Sequence, residues 1–161
     1  MAREIDNTQD ILDTRDVIAR FEELESRRTD LADAAGEAEA EDCAADCAGR
    51  IVRAAECTCG KADKFADAES ALSDWDEENA EELKNLRAFI DEGNDEWKHG
   101  ETLVRESYFK TYAQELAEDI GALEKCDAWP ATCIDWEHAA RELMYDYSGA
   151  DFGGVTYYYR G

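Results

Sequence analysis

Residues 150–159 read Ala150-Asp151-Phe152-Gly153-Gly154-Val155-Thr156-Tyr157-Tyr158-Tyr159. Both sides of the Gly-Gly pair favour β-strands, and glycine readily adopts the positive φ angles of a tight turn. The pattern therefore predicts a β-hairpin. It also places the chain in the α+β class, because most of the remaining sequence has a helical pattern.

The residues that precede this hairpin extend the same module. Thr102-Leu103-Val104-Arg105 predicts a short strand. A helix that ends at Gly121 is predicted next, because apolar residues recur at helical spacing. These residues are Tyr108, Phe109, Tyr112, Leu116 and Ile120. Asp135 is a candidate N-cap for a second helix. We therefore predict a small α+β module over residues 94–161.

Residues 1–93 are predicted to form a helical hairpin or bundle. Apolar residues at 17, 18, 21 and 24 follow the i, i+3/i+4 rule. A second helical stretch is predicted from about Asp30 to Glu56, with a thin apolar face of alanine and cysteine. A third covers residues 62–92 and stops at Gly93, with Ser73 as a candidate start of another helix within it. The resulting fold class is α+β and mostly helical.

The charge narrows the range of partners. The 161 residues include 41 acidic and 17 basic side chains, for a formal net charge of −24. Residues 1–60 carry −9 (16 acidic, 7 basic), residues 61–100 carry −8 (13 and 5) and residues 101–161 carry −7 (12 and 5). With 44% apolar residues the chain has enough material for a core. Nucleic acid and anionic membrane surfaces would be repelled, so we expect neither as a direct partner.

The location follows from two further features. No segment approaches the roughly 20 apolar residues of a membrane span. Residues 1–13 contain neither the basic region nor the apolar run of a secretory signal. We therefore expect a cytoplasmic protein.

The sequence predicts no catalytic site. His99 and His138 are the two histidines, and neither lies in a Ser/His/Asp or Cys/His pattern. Asp151-Phe152-Gly153 matches a kinase tripeptide, but the Gly-rich loop, lysine strand and catalytic loop of kinases are missing. Adjacent carboxylates do not indicate acid–base catalysis here, because a chain with 41 acidic residues contains such pairs by chance. We expect a protein that is not an enzyme and needs no cofactor.

Four cysteines are candidate ligands of a zinc ion, which gives an alternative hypothesis for this region. Cys43 and Cys47 would share a helix face, and Cys57 and Cys59 lie close to them in sequence. Zinc sites usually pair thiols two to four residues apart in both halves, so Cys57-x-Cys59 is a poor half-site. Cysteine as a small packing residue is the commoner case. We expect no bound metal and keep zinc at these four residues as the alternative.

Acidic residues recur at helical spacing in three rows. Residues three or four apart on a helix stand about 5–6 Å apart, the same order as the spacing of phosphates along a duplex. The rows are Asp74, Asp76, Glu77, Glu78, Glu81 and Glu82; Glu37, Glu41 and Asp42; and Glu115, Glu118 and Asp119. An ordinary solvated face would explain any single row, and adaptation to high salt would explain an acidic surface. Three rows on a chain of this charge favour presentation of carboxylates to a partner.

The C-terminal third also carries a family pattern. Its segments are Tyr112-Ala113-Gln114-Glu115-Leu116-Ala117-Glu118-Asp119-Ile120, Ile134-Asp135-Trp136-Glu137 with Ala139-Ala140-Arg141-Glu142-Leu143, and Asp146-Tyr147 with Gly154-Val155-Thr156-Tyr157. Together they resemble the end of ArdA-type antirestriction proteins. Those are small acidic proteins of mobile elements that imitate bent DNA and occupy type I restriction enzymes. The first hundred residues lie outside this resemblance, although Ile5-Asp6-Asn7-Thr8-Gln9-Asp10 is similar to the opening of uncharacterised phage proteins.

These observations lead to one main hypothesis. The chain is expected to be an acidic DNA mimic that inhibits a host DNA-binding defence nuclease, of the restriction or CRISPR type, by occupying its DNA-binding surface. Its partner would be that nuclease or a nucleoprotein complex, and homodimerisation stays open. The alternatives are a non-catalytic phage structural or regulatory protein whose acidity serves solubility, and a small zinc-stabilised interaction module.

Overall fold

A computed structural model describes residues 5–40, 59–124 and 127–161. The chain forms two compact units. The helical unit comprises residues 22–84, and the sheet unit comprises residues 1–21 together with 85–161. The architecture is α+β and mostly helical, which confirms the predicted fold class.

A four-stranded antiparallel sheet organises the sheet unit. Its strands are β1 (Ile11–Asp13), β2 (Thr102–Arg105), β3 (Ser148–Phe152) and β4 (Val155–Tyr159), in the order β1-β2-β4-β3. β3 and β4 form the predicted hairpin, and Gly153 and Gly154 turn the chain at φ angles of 57° and 83°. The predicted strand at Thr102–Arg105 is also confirmed.

One face of the sheet packs against aromatic side chains centred on Phe89. The Phe89 ring is stacked on the Phe152 ring, with 4.8 Å between the ring centroids, and makes an edge-to-face contact with Trp97 at 5.1 Å. Tyr157 and Tyr159 point to the same side because successive strand residues alternate, and they contact Phe89 and Trp97 respectively. Trp97 lies in a 3-10 turn at Asp95–His99, where the sequence predicts only a loop.

The opposite face packs against two helices, α3 (Phe109–Asp119) and α4 (Trp136–Met144). Val104, Phe109, Ala113 and Ala140 form the buried cluster here, and Tyr158 packs against it. The side chain of Asp135 accepts hydrogen bonds from the backbone N–H groups of residues 137 and 138, which confirms the predicted N-cap of α4.

Two long helices make up the described part of the helical unit and extend into the sheet unit. They are α1 (Thr14–Ala40) and α2 (Lys61–Asp91). They run antiparallel, because Arg87 lies over the Phe21 ring whereas Arg28 pairs with Asp76. Both helices are continuous, so the predicted separate starts near Asp30 and at Ser73 are wrong. No proline or glycine interrupts either point, and apolar spacing continues through both. Residues 30–40 are helical as predicted, and the rest of the stretch predicted to reach Glu56 lies outside the described residues.

The helical unit has a narrow apolar seam. On α1 it contains Leu24, Leu31, Ala35 and Ala38, and on α2 it contains Phe65, Ala68, Leu72, Trp75 and Asn79. Leu24 is buried and the others are half-buried. Their spacing alternates between three and four residues on α2 and is seven, four and three residues on α1, as in coiled coils. The described seam therefore combines five large apolar side chains with three alanines and Asn79, and all of them except Leu24 are partly exposed.

The two units divide the chain differently from the predicted boundary at Gly93. Residues 5–21 belong with the C-terminal elements because β1 pairs with β2, with Leu12 opposite Leu103. The last turns of α2 also belong there, since Leu86 and Phe89 are fully buried in the sheet unit. The helical unit is thus a segment of the chain between β1 and β2.

Candidate acidic interface

The clearest row of acids lies on α2. Asp74, Glu77, Glu78 and Glu81 are all exposed, and their spacing of three and four residues places them on one helix face, opposite the seam. Asp63 and Asp67 are exposed on the same face, 11 and 7 residues before Asp74. These six residues are the α2 acidic face. The described part of the chain supplies no hydrogen-bond or ion-pair partner to the four predicted members.

Two predicted members of this row lie elsewhere. Asp76 is half-buried and accepts two hydrogen bonds from Arg28, which lower the pKa of its carboxyl group. The same pairing raises the pKa of the Arg28 guanidinium. Glu82 is half-buried and also takes part in an interaction. The tertiary structure therefore separates Asp76 and Glu82 from the exposed face.

The second predicted row is described in part. Glu37 is exposed on α1, whereas Glu41 and Asp42 lie outside the described residues. Asp30 and Asp33 are exposed on the same side of α1, away from the seam. We name Asp30, Asp33 and Glu37 the α1 acidic face. Sequence reasoning missed Asp30 and Asp33, just as it missed Asp63 and Asp67, although the i, i+3/i+4 and i+7 spacings were available to find them.

The third predicted row lies in the sheet unit, on α3. Glu115 accepts a hydrogen bond of 2.7 Å from the Tyr108 hydroxyl, which raises the pKa of that hydroxyl. Glu118 takes part in an interaction, and Asp119 is exposed at the last residue of the helix. Glu115 and Glu118 are exposed but have interactions within the protein, whereas the described residues give no partner to the four exposed acids of α2.

The charge divides unevenly between the units. Residues 22–84 contain 20 acidic and 7 basic residues, net −13, whereas the other 98 residues contain 21 and 10, net −11. The helical unit therefore carries more than half of the net charge on well under half of the chain. Charge of one sign at this density repels itself and lowers the free energy of unfolding.

The cysteines and histidines show no metal centre in the described part of the chain. Cys59 is exposed, whereas Cys43, Cys47 and Cys57 lie outside the described residues. Across residues 5–40, 59–124 and 127–161, no group of three His, Cys, Asp or Glu side chains is arranged to hold a metal ion. His99 and His138 are both exposed.

Comparison of this chain with known proteins finds no relative. Family models, curated proteins and solved structures give no match to this chain. The resemblance to ArdA-type proteins therefore stays a prediction. Within the described residues, no helix is both long and apolar enough to cross a membrane.

Proposed function

We propose that this protein is a DNA mimic that occupies the DNA-binding surface of a host defence nuclease in the bacterial cytoplasm. The observation that carries the proposal is the α2 acidic face. Its four predicted members are exposed side chains that the described residues leave unpaired. Carboxylates in that state are available to the lysine and arginine side chains that would otherwise hold phosphates.

The dimensions of the α2 acidic face support the same function. Asp63 and Glu81 are 18 positions apart, which is about 27 Å along a helix. Six carboxylates over that distance give roughly one per 5 Å, against one phosphate per about 3.4 Å of each DNA strand. One helix face therefore carries somewhat less charge per length than a DNA strand.

A second helix adds to the negative charge per length of the α2 acidic face. The α1 acidic face adds Asp30, Asp33 and Glu37, also turned away from the seam. Each helix with its side chains is about 10–12 Å across. Two antiparallel helices with acids on the sides turned away from the seam thus present two lines of negative charge.

Displacement of DNA from purified enzymes tests this function. A labelled duplex is bound to a type I restriction enzyme, or to a guide-loaded CRISPR effector, and the protein is added at increasing concentration. We expect the parent protein to release the duplex from at least one of them. The variant D74N/E77Q/E78Q/E81Q, which keeps shape and polarity, should need at least about tenfold more protein, because several weak contacts are lost together.

A matched control separates mimicry from mere solubility. The variant E106Q/E124Q/D127N/E142Q removes four exposed acids from the sheet unit by the same conservative changes. It should displace DNA nearly as well as the parent protein. If both variants weaken equally, only total charge matters and the α2 acidic face has no special part. If no tested enzyme releases its DNA, acidity for solubility becomes the better account.

A further inference from the structure

Arg28 and Asp76 meet between the two helices of the helical unit. The Arg28 Nε donates to Asp76 Oδ1 at 2.8 Å, and Nη2 donates to Oδ2 at 3.2 Å. A two-point contact of this kind fixes the relative orientation of the side chains as well as their distance. The side chains are 52% and 33% exposed, so water screens the pair only in part.

The pair lies at the apolar seam, with Arg28 in line with the seam residues of α1 and Asp76 beside those of α2. Arg28 lies four residues after Leu24 and three before Leu31, and Asp76 lies four after Leu72 and three before Asn79. Arg28 therefore has the spacing of a seam residue, whereas Asp76 directly follows the seam residue Trp75 and lies at the edge of the seam. A charged or polar residue at such a position can specify how two helices align, at some cost in stability.

The seam residues in the last described turns of α1 do little to specify that alignment. Beyond Leu31 the described part of α1 offers Ala35 and Ala38, both half-buried. Alanine has no extended shape to interlock with a facing side chain, so these two residues add little apolar contact that a shift along the helix would disturb. The guanidinium fork, in contrast, contacts both carboxylate oxygens of Asp76, and this two-point geometry restricts the alignment more than alanine packing does.

We infer that Arg28 and Asp76 are positioning residues, whose ion pair holds α1 and α2 in the one register that sets the α1 and α2 acidic faces relative to each other. Asp76 then acts inside the helical unit, whereas Asp74 and Glu77 face the partner. The lowered pKa of Asp76 agrees with a carboxylate that stays ionised and paired. The effect of this register on partner binding rests on the proposed function, but the register of the two helices can be tested without a partner.

Four variants of the 161-residue chain test the pair. R28M and D76N each remove one charge, and the swapped variant R28D/D76R restores an ion pair with the net charge unchanged. R27M/E69Q is the control, because it removes one charge of each sign from exposed neighbours on the same helices. Amide hydrogen exchange is measured over residues 22–40 and 61–84. Carbodiimide cross-links between lysines of α2 and acids of α1 are mapped by mass spectrometry.

The first outcome concerns the register. Exchange protection in these segments should fall roughly 2- to 5-fold in R28M and D76N, the range for an exposed ion pair. Cross-links should spread to new residue pairs in both. The swapped variant should recover most of the protection and the parent cross-links, and the control should match the parent. Unchanged protection and cross-links in both single variants would overturn the inference.

The second outcome separates positioning from direct contact. In the DNA-displacement assay, D76N should be weaker than the parent by a similar factor, and the swapped variant should recover potency although position 76 then carries a positive charge. If the swapped variant restores the cross-links but displaces DNA worse than D76N, Asp76 contacts the partner itself and the inference is wrong. A failure of every variant and of the parent to displace DNA would instead count against the proposed function alone.

Discussion

Glu101 is an acid that costs the folded state stability. Its Oε2 atom is buried without a hydrogen-bond partner among the described residues, and the backbone of Glu101 is held by Thr14. Burial raises the pKa of the Glu101 carboxyl group, and the nearby charge of Glu96 raises it further. An ionised carboxylate with an unpaired buried oxygen destabilises the fold.

We predict that Glu101→Gln stabilises the protein at neutral pH. Because the folded-state pKa is raised, the penalty is absent below the reference pKa of 4.5 and grows as pH rises from there through the folded-state value. The variant should therefore gain about 1 kcal/mol in free energy of unfolding at pH 7, and little at pH 4. Denaturant unfolding at both pH values measures this. A variant less stable than the parent at pH 7 would contradict the assignment.

At the scale of single elements, the glycines of the two long helical segments have opposite effects on stability. Gly36 lies inside α1, where an added Cβ would meet nothing within 4 Å. Gly93 follows α2, where an added Cβ would lie 2.6 Å from Cε3 of Trp97. Gly36 therefore lowers helix stability without a packing role in the described structure, whereas Gly93 makes room for the buried indole.

We predict that Gly36→Ala raises the free energy of unfolding of the α1 segment by about 0.5–1 kcal/mol, the ordinary difference between glycine and alanine inside a helix. Hydrogen exchange over residues 22–40 measures it. Gly93→Ala serves as the opposite case and should lower the thermal unfolding midpoint, since the Trp97 ring must move. A Gly36→Ala variant with unchanged exchange would show that α1 is not limited by helix propensity at this position.

At the scale of the whole molecule, the proposed function makes the net charge of −24 the main determinant of association with the partner. The lysines and arginines of a DNA-binding surface attract a mimic through the same interactions that hold DNA, and salt screens them. Many weak contacts in register also mean that single acids matter little, since an exposed pair contributes about 0–1 kcal/mol.

We predict that affinity for the target enzyme falls at least tenfold between about 50 and 200 mM salt. The variant that neutralises four members of the α2 acidic face should show a shallower dependence on salt than the sheet-unit control. Titrations of the labelled protein with the enzyme at several salt concentrations measure both slopes. Equal affinity at low and high salt would count against mimicry of phosphates.

Local signals in the sequence determined a large part of this fold. The Gly-Gly turn of the hairpin, the strand at Thr102–Arg105, the Asp135 cap and the apolar spacing of α3 depend on neighbours within a few residues, so composition and periodicity suffice to predict them. The exposed members of the α2 row were predictable for the same reason, because their spacing places them on one face.

Only the tertiary structure decided the features that depend on distant residues. β1 has three residues and becomes a strand by pairing with β2, some 90 positions away, so no local pattern marks it. Trp97 is buried because Phe89 and Tyr159 surround it. Asp76 resembles its acidic neighbours in sequence, yet Arg28 on another helix separates it from them. In each case the deciding contact joins residues that the chain keeps far apart, and only folding brings them together.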